Sequence, residues 1–572
     1  MNIFESYLIK ISNLIKKNQK ELNLIETNNF RGVTLEIPPT KIKFDLSTNI
    51  CMVLAKLNKI NPNELSTKVK DLIQKNISDF KDLEIAGPGF LNIILSKKAL
   101  SDIINSIFNQ NKLFGSMKRN LSYNIEFVSA NPTGPMHVGH CRGAIYGDVL
   151  SNLLTFNGNK VTKEYYINDY GNQIRNFVKS VFLRIREIKY KEKFIIEKDL
   201  YPGDYIKEIA KKILIKNKLE FNTLEENYEY LVKESLNYSM DIIKSDLKKL
   251  GISHDSFISE KSIVNSNTLT EAINQLKKTN HIEEGFLEPP KGEENNNWKK
   301  TKRLIFKSIL FGDDANRALQ KNDGSWTYFA NDIAYHYNKC SRKYDKLINV
   351  LGADHTGYIK RIEGAVKALS KNKTNLECKV CQLVKLFKKG VPFKMSKRAG
   401  DFITVKDLLD EVSKDSIRFM MLNRSHDVEL DFDFNKVLEK NKENPVFYVQ
   451  YCHARIKSIY RTINFKNDNK IETNINDINF NEYEKEILKK IFEWPKIIKI
   501  ASNKYEPHRI TFYLYELATL FHSYWSKGNE NEVFRFIKNG KVSKNIMIIM
   551  ELILIVLQNG MNILNVALPD KM

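Results

Sequence analysis

The alternation of apolar and polar residues between Tyr123 and Leu150 predicts a strand, a turn and a helix in succession. The segment Ile-Glu-Phe-Val at 125–128 is typical of a short strand, and the sequence Asn-Pro-Thr-Gly-Pro at 131–135 is typical of a turn. The helix is expected to start at His137, so that its first turn contains His137, Gly139 and His140. The pattern therefore predicts a strand-loop-helix unit with two imidazoles at its mouth.

The rest of the chain divides into three regions of different periodicity. Residues 1–115 have helical periods at 1–25 and 62–75 and strand-like segments in VTLEIPP and FLNIIL, which predicts a separate α+β domain. From 116 to 440 strands, loops and helices alternate as in an open α/β sheet, with a helical, charged insertion expected at about 175–320. Residues 441–572 are expected to be all-α. The predicted fold class is therefore α/β with two flanking domains.

Composition favours a polyanionic partner. The 572 residues contain 90 Lys and Arg against 68 Asp and Glu, a formal net charge of +22. Such a surplus suits nucleic acid, because each neutralised phosphate releases counterions. The alternative is that the richness in Lys, Asn and Ile reflects nucleotide composition, so charge alone does not decide between them.

Cysteines and apolar runs bear on the cellular compartment. The six cysteines are scattered, which favours a reducing environment, and Cys378-x-x-Cys381 lacks the second ligand pair of a zinc site. The longest strongly apolar run, residues 546–557, has only twelve residues and contains Glu551, too short and too polar to span a bilayer. No membrane is expected as a partner.

Two motifs carry the candidate chemistry. His137 and His140 are three apart, so both can point at one ligand at a helix N-terminus, where phosphate is favoured, and Gly139 permits close approach. The alternative is a pair of histidines that caps or packs. In Lys394-Met395-Ser396-Lys397, between Gly390 and Gly400, two cations could stabilise a departing pyrophosphate, although such a loop is often only solvated surface. The two motifs lie 257 residues apart and together make a nucleotide site the favoured interpretation.

With these motifs the chain resembles the class I aminoacyl-tRNA synthetases, whose signatures here read HVGH and KMSK. The similarity to bacterial-type arginyl-tRNA synthetases extends over nearly the whole chain, in the segments EFVSANPTGPMHVGH, AGPGFLN, LEPPKG, FGDDANRAL, GADHTGYIKR, MSKRAGDF and EPHRITFYLYEL. The resemblance implies a Rossmann-like catalytic domain and a cytoplasmic, monomeric enzyme that activates L-arginine with ATP and Mg²⁺. The arginyl group would then be transferred to tRNA(Arg).

The resemblance also implies residue roles. His137, His140, Lys394 and Lys397 would be catalytic, Gly139, Met395 and Ser396 would bind ATP, and no residue is assigned as a metal ligand. The residues expected to hold arginine are Asn131, Tyr328, Asp332, His355 and Glu284. Many family members have Gln where this chain has His355, which leaves that contact open, and Glu284 is placed only by a loose alignment. For Tyr328 and Asp332, four apart, the alternative is an anchor and a helix cap.

Contacts to tRNA are expected in both flanking domains. Tyr448, Tyr451 and Arg455 fall on one face of a predicted helix, where rings and a guanidinium could stack on unpaired anticodon bases. The alternative is an aromatic core stripe. Phe90 and Asn92 in the N-terminal domain are candidates for the tRNA elbow. Two other functions are kept in view: a small nucleotidylyltransferase, which needs neither flanking domain, and a tRNA-binding protein without catalysis.

Overall fold

The computed structural model describes residues 2–25, 28–39, 43–195, 197–216, 219–287, 301–393, 403–465 and 479–572. The chain divides into two units. The first combines Met1–Met117, Lys440–Tyr505 and Arg509–Met572, and the second consists of Lys118–Glu439 with Glu506–His508.

The N-terminal part of the first unit is an α+β arrangement, as predicted. Its four strands pair antiparallel in the order β1-β2-β4-β3. Helix α1 is capped by the Asn2 side chain, buries an apolar stripe that includes Tyr7 and Ile11, and ends at Lys17. The elements are α1 (Ile3–Lys17), β1 (Leu35–Glu36), β2 (Leu46–Thr48), α2 (Ile50–Asn58), α3 (Pro62–Asn76), β3 (Phe80–Ala86), β4 (Phe90–Leu95) and α4 (Lys97–Gln110).

The second unit contains the predicted open parallel sheet. Its elements up to β7 are β5 (Ser122–Glu126), α5 (Val138–Phe156), β6 (Lys160–Ile167), α6 (Asn172–Tyr190), α7 (Asp204–Lys216), α8 (Leu224–Lys249) and β7 (Ser256–Ser259). The remaining ones are α9 (Glu260–Val264), α10 (Thr268–Lys278), β8 (Ile282–Gly285), β9 (Arg303–Phe306), β10 (Arg317–Ala318), α11 (Tyr328–Ser341), β11 (Lys346–Gly352), α12 (Ile359–Ser370), β12 (Asn375–Cys381), β13 (Val384–Lys388), β14 (Val391–Pro392), α13 (Val405–Glu411), α14 (Lys414–Met421), β15 (Leu430–Asp433) and α15 (Phe434–Leu438).

The strand order of the main sheet indicates where a ligand-binding crevice lies. The parallel sheet runs β12-β11-β5-β6-β7, so the chain moves to opposite sides of β5 when it continues to β6 and, later, to β11. Ligands of open α/β sheets bind beyond the carboxyl ends of the strands at such a reversal of order. The loops after β5, β6, β7 and β11 all meet at that edge.

The span 175–320, expected as one insertion, is interrupted by a strand of the main sheet. Before β7, helices α6, α7 and α8 enclose an apolar core of their own that includes Phe177, Ile209 and Leu231. After β7 come α9, α10 and an antiparallel sheet of order β10-β9-β8. A further sheet, β14-β13-β15, follows the main sheet, with β13 and β15 parallel.

The C-terminal part of the first unit consists of helices and one short hairpin. Its elements are α16 (Pro445–Thr462), α17 (Glu482–Lys504), α18 (His508–Glu530), β16 (Ile537–Lys538), β17 (Lys541–Val542) and α19 (Lys544–Leu564). Helix α19 is longer than its apolar run suggested and is apolar enough by composition to cross a membrane, yet 83% of its most apolar window is buried inside the protein. It is a core helix of this unit.

Contacts within the first unit join its two ends. The Trp494 indole N–H on α17 donates to the Phe114 carbonyl at 2.9 Å. Gly115 beside it has φ +97°, and a Cβ there would lie 2.7 Å from the Trp494 Nε1. Asn559 on α19 donates to the Asn111 carbonyl at 2.9 Å. The segment after α4 is therefore built into the C-terminal helices.

Candidate active site

The loop that leaves β5 begins with an unusual backbone. The strand was predicted at 125–128 but runs from Ser122 to Glu126, because the next residues turn sharply. Val128 and Ser129 have φ values of 71° and 39°. A positive φ at a β-branched residue is rare and strained, and such strain concentrates at functional sites. This turn directs the chain out of the sheet towards Asn131 and His137.

His137 and His140 lie side by side at the start of α5. His137 is the N-cap rather than part of the first turn, because the helix begins at Val138. Its Nδ1 accepts the Gly139 N–H at 3.1 Å, while the His140 Nδ1 accepts the His137 N–H at 3.3 Å. The ring centroids are 3.8 Å apart. The histidines thus cap the helix, as in the structural alternative, but capping uses only the Nδ1 of each ring.

The protonation of the two rings follows from this geometry. Burial lowers the pKa of His137, and burial together with the neighbouring His137 lowers the pKa of His140 to about 4. Both rings are therefore neutral near pH 7. A neutral imidazole that accepts through Nδ1 carries its proton on Nε2. The pair presents N–H donors, which suit phosphate oxygens.

Gly139 is required by the ring of His137. A Cβ at position 139 would lie 2.9 Å from the His137 Cε1 and Nδ1, closer than real side chains come. The sequence predicted that this glycine admits a ligand. In the structure, the group that approaches Gly139 closely is the imidazole of His137.

The second motif, Lys394, Met395, Ser396 and Lys397, lies outside the described residues. The chain just beyond it pairs with the first motif. The Val138 N–H donates to the Ile403 carbonyl and the Val405 N–H to the Met136 carbonyl, both at 2.9 Å. His137 and Thr404 form an antiparallel bridge between these bonds. Residues 403–405 are therefore fixed against the start of α5.

Asn131 is oriented by the loop after β6. Its Oδ1 accepts from the Asn168 side chain and its Nδ2 donates to the Gln173 Oε1, both at 2.9 Å. The carbonyl of Ala130 next to it accepts the Tyr165 hydroxyl at 2.7 Å. The loop after β6 and the first turn of α6 thus hold this amide, and Tyr165 of β6 holds the backbone beside it.

Asp332 is a partly buried carboxylate on α11. It accepts a hydrogen bond from the Tyr358 hydroxyl, which comes from the loop after β11. Burial, with the charge of Glu126 adding to it, raises the pKa of Asp332 to about 7. Tyr328, one turn earlier on α11, is 69% exposed, and its hydroxyl lies 3.8 Å from an ideal Cβ built on Gly171 after β6. The two residues are four apart within α11 and share a helix face.

A second carboxylate, which sequence reasoning missed, lies close to Asp332. Glu260 follows β7 directly and is 8% exposed. Burial and the charge of Asp332 raise the pKa of Glu260 to about 7. Its position is fixed because Asp169 accepts from the Ser259 hydroxyl at 2.6 Å and from the Lys261 N–H at 2.8 Å. Two carboxylates whose pKa values are both raised by burial and by a neighbouring negative charge form a site where a cation is favoured.

The other predicted arginine contacts lie in different surroundings. Glu284 is in β8, exposed, and paired with Lys302 at 3.0 Å. The His355 imidazole is 56% exposed, 3.5 Å from an oxygen of Asp354. The loop that contains His355 contributes Tyr358 to the carboxylate pair through its bond to Asp332.

A buried polar network supports this edge of the sheet from behind. Lys339, which is fully buried, donates to Glu126 and, at 2.9 Å, to Asn349. Burial opposes ionisation of Glu164, but Arg342 and Lys339 hold the pKa of that carboxyl at about 2. Glu126 and Glu164 also share the Tyr335 hydroxyl. The charged groups of this network pair with one another, Lys339 with Glu126 and Arg342 with Glu164. These pairs fix α11 to β5 and β6.

The residues predicted to contact tRNA lie in the first unit. On α16, the Arg455 guanidinium carbon lies 4.4 Å from the centroid of Tyr451 and one of its nitrogens donates to the Tyr451 hydroxyl at 2.9 Å. Tyr448 packs on His522, with ring centroids 4.3 Å apart. Phe90 is 37% exposed on β4, whereas Asn92 is buried. The predicted helix face exists, and its side chains are only partly covered.

Within the described part of the chain, no group of three His, Cys, Asp or Glu residues is placed to hold a metal ion. The six cysteines are free thiols. Burial raises the pKa of both Cys378 and Cys381, so these thiols stay protonated at neutral pH.

Three family profiles match the chain. They are an arginyl-tRNA synthetase N-terminal domain at residues 10–95, a class I (R) tRNA synthetase catalytic domain at 102–461 and a DALR anticodon-binding domain at 449–572. Together they cover nearly the whole sequence.

Similar proteins and structures agree with these profiles. An arginine–tRNA ligase of Pelagibacter ubique is 52% identical and one of Agrobacterium fabrum 41% identical, each over 100% of both chains. The solved arginyl-tRNA synthetase of Thermus thermophilus matches with a TM-score of 0.69 at 18% identity, over 98% of each chain. That of Plasmodium falciparum matches with a TM-score of 0.70 at 16% identity, over 100% of this chain and 99% of the other. At these identities the two structures support the fold.

Proposed function

The chain belongs to the arginyl-tRNA synthetases, class I ligases that join arginine to tRNA at the expense of ATP, and we propose which of its residues perform each step. The observation that carries the proposal is the pair of carboxylates with raised pKa, Asp332 and Glu260, at the same sheet edge as the two neutral histidines. A cation-binding pocket and a phosphate-binding helix start are the two parts that this reaction needs.

Arginine is held by its two ends. Asp332 and Glu260 accept hydrogen bonds from the guanidinium, whose planar donors match carboxylates. Tyr328 covers the side chain from the exposed side, and Asn131 binds the main-chain amino or carboxylate group. Glu260 takes the role that the sequence suggested for Glu284, because the charge of Asp332 acts on Glu260, whereas Glu284 is exposed and paired with Lys302. His355 is not needed for this pocket.

In the first step the arginine carboxylate attacks the α-phosphorus of ATP, and pyrophosphate leaves. The Nε2–H groups of His137 and His140 donate to phosphate oxygens whose charge grows in the transition state. Lys394 and Lys397 hold the departing pyrophosphate, with Met395 and Ser396 beside the nucleotide. Mg²⁺ would enter with the ATP phosphates and neutralise part of their charge.

In the second step a ribose hydroxyl of the terminal adenosine of tRNA(Arg) attacks the arginyl carbonyl of arginyl-adenylate, so that an arginyl ester forms and AMP leaves. The α16 face of Tyr448, Tyr451 and Arg455 contacts the anticodon loop by stacking, and Phe90 with the adjacent surface of β4 contacts the tRNA elbow. These assignments give the region 441–572 and the region 1–115 separate roles on one tRNA. We propose that the enzyme acts as a cytoplasmic monomer.

The test is a charging assay with each of the twenty amino acids, combined with ATP–pyrophosphate exchange with and without tRNA(Arg). Charging with arginine alone is expected. Adenylylation of a small phosphoester without arginine would instead identify a nucleotidylyltransferase, and tRNA binding without charging would identify a protein that has lost catalysis.

The role of the histidines is tested separately. His140→Asn keeps a hydrogen-bonding side chain but removes the Nε2 donor, so exchange should slow by about 100-fold, as for loss of one transition-state donor. An unchanged rate would remove the phosphate role from this residue.

A further inference from the structure

The guanidinium of Arg142 is buried just after the two histidines, and the reaction as described does not use it. Arg142 lies one turn beyond Val138 on α5 and is 1% exposed. Its Nη1 donates to the carbonyls of Gln382 at 3.1 Å and Val428 at 2.6 Å, and its Nη2 donates to the carbonyl of Ser425 at 2.7 Å. All three acceptors are backbone oxygens, so the contacts do not depend on which side chains surround them.

The three carbonyls mark the beginning of two strands. Gln382 precedes β13 by two residues, and Val428 precedes β15 by two residues. The two segments are joined by the Gln382 N–H, which donates to the His426 carbonyl at 2.8 Å, and by the parallel pairing of β13 with β15. Arg142 therefore fixes the point where both strands begin relative to the first turns of α5.

The same turn of residues 425–428 packs on α5 through a ring contact. The Tyr146 and His426 rings lie 4.8 Å apart, one helical turn beyond Arg142. Strand β13 then continues into β14, whose end is held by the Phe393 N–H donating to the Leu386 carbonyl at 2.8 Å. Residues 403–405, beyond the lysine motif, are bonded to residues 136–138. The flank beyond the motif is thus bonded directly to the start of α5, and the flank before it is connected to Arg142 through β13.

We propose that Arg142 is a positioning residue for adenylate formation, which holds the first turn of α5 against the starts of β13 and β15 so that His137 and His140 keep their places. This proposal rests on the phosphate role of the two histidines. The guanidinium pocket is built by other elements, α9, α11 and the loop after β11, and Asn131, which binds the other end of arginine, is held by Asn168 and Gln173. Loss of Arg142 should therefore lower the rate of activation and leave the affinity for arginine unchanged.

The test compares Arg142→Met, Arg142→Lys and a matched control in ATP–pyrophosphate exchange with tRNA(Arg) present. Arg142→Met removes every donor, and kcat should fall by about 100-fold with the KM for arginine within threefold. Arg142→Lys keeps the charge but loses the planar fork, and should recover part of the rate. If the methionine variant does not fold, the lysine variant carries the test, with a loss in kcat of about tenfold at an unchanged KM.

The control is Arg418→Lys. Arg418 is also fully buried and also reaches α5, because its Nη2 bonds Asp148 at 2.5 Å while its Nη1 donates to the Leu250 carbonyl at 2.9 Å. Asp148 lies well beyond the histidine turn, so this variant should lower the melting temperature and keep kcat within twofold.

Three results would overturn the positioning role. They are a normal kcat in folded Arg142→Met, a rise in the KM for arginine at unchanged kcat, and an equal loss of kcat in Arg418→Lys. The His140→Asn variant separates this failure from failure of the proposed function. If His140→Asn is slow while Arg142→Met is normal, only the positioning role is lost, whereas a normal rate in His140→Asn would remove the basis of both.

Discussion

At the scale of single residues, the carboxylates of Asp332 and Glu260 are the most informative groups. Each has a pKa raised to about 7, first by burial and then by a neighbouring negative charge, Glu126 for Asp332 and Asp332 for Glu260. Ionising two such carboxylates side by side is unfavourable without a cation, because burial and mutual repulsion both oppose the charged forms. The free protein therefore keeps a pocket that a guanidinium would stabilise.

The first prediction concerns selection of arginine. Asp332→Asn should raise the KM for arginine by about 100-fold and that for ATP by less than threefold, since a charged hydrogen-bond acceptor is lost from a buried pair. Steady-state exchange kinetics measure both constants. Glu284→Gln, at an exposed carboxylate paired with Lys302, is the matched control and should change neither. Equal effects on the two substrates would remove Asp332 from the arginine pocket.

The second prediction concerns protons. Bound guanidinium favours the ionised carboxylates and lowers their pKa, so arginine binding should release protons near pH 7. Release should be small at pH 9, where both groups are already ionised in the free protein, and the KM for arginine should rise as the pH falls below 7. Calorimetry at pH 7 in two buffers of different ionisation enthalpy measures the release. Asp332→Asn should reduce it, and a wild-type protein that releases none would contradict the assignment.

At the scale of elements, the start of α5 has no room for a side chain at position 139. The Gly139 position is in contact with the His137 ring, whereas an ideal Cβ at Gly143, one turn later, would meet only a Val350 methyl at 3.8 Å. The two glycines lie in the same helix and differ mainly in this contact. A comparison of their alanine variants therefore isolates the placement of the imidazole.

The third prediction follows from that difference. Gly139→Ala should displace the His137 ring and lower kcat in ATP–pyrophosphate exchange by at least tenfold, with little loss of melting temperature. Gly143→Ala should retain kcat, because 3.8 Å is an ordinary contact and alanine favours helix. Comparable rates in the two variants would show that the position of His137 does not limit the reaction.

Elements with a strong local pattern were predicted from the sequence, and those defined by distant contacts were not. The strand before the histidines, although it ends two residues earlier than predicted, and the helix after them follow their periodicity and flanking turns. Strand β7 has only four residues between helical segments, and its membership of the sheet depends on pairing with β6. Glu260 was missed for the same reason: its proposed role depends on the charge of Asp332, 72 positions later in the sequence. The role of Arg142 likewise depends on carbonyls about 240 residues or more away.

At the scale of the whole molecule, the first unit is assembled from both ends of the chain. Trp494 covers Gly115, and two surface pairs, Lys496 with Glu36 at 3.1 Å and Lys499 with Glu5 at 2.9 Å, join α17 to the N-terminal segment. Exposed ion pairs contribute little, about 0–1 kcal/mol each. The buried indole contact is therefore the part of this junction whose loss should be measurable.

The fourth prediction concerns that contact. Gly115→Ala adds a methyl 2.7 Å from the Trp494 Nε1 at a residue with φ +97°, so both a clash and backbone strain oppose it. We expect a loss of about 2–4 kcal/mol in the free energy of unfolding. Gly540→Ala is the control, because it has φ +73° and nothing within 4 Å of an ideal Cβ. Its loss should be about 1 kcal/mol, from strain alone. Equal losses in urea denaturation would rule out the clash.

The divided first unit also has a consequence for synthesis. After its N-terminal 117 residues are made, the ribosome must add 322 more residues before it reaches the C-terminal part of the same unit. At roughly 10 residues per second that interval lasts about half a minute. During it Ile3, Ile107 and Phe114, which lie around a small cavity with Phe492 of α17, have no covering helix. Growing cells should therefore contain nascent chains whose first hundred residues still expose an apolar face. The yield of folded protein should then depend on translation speed and on the supply of chaperones.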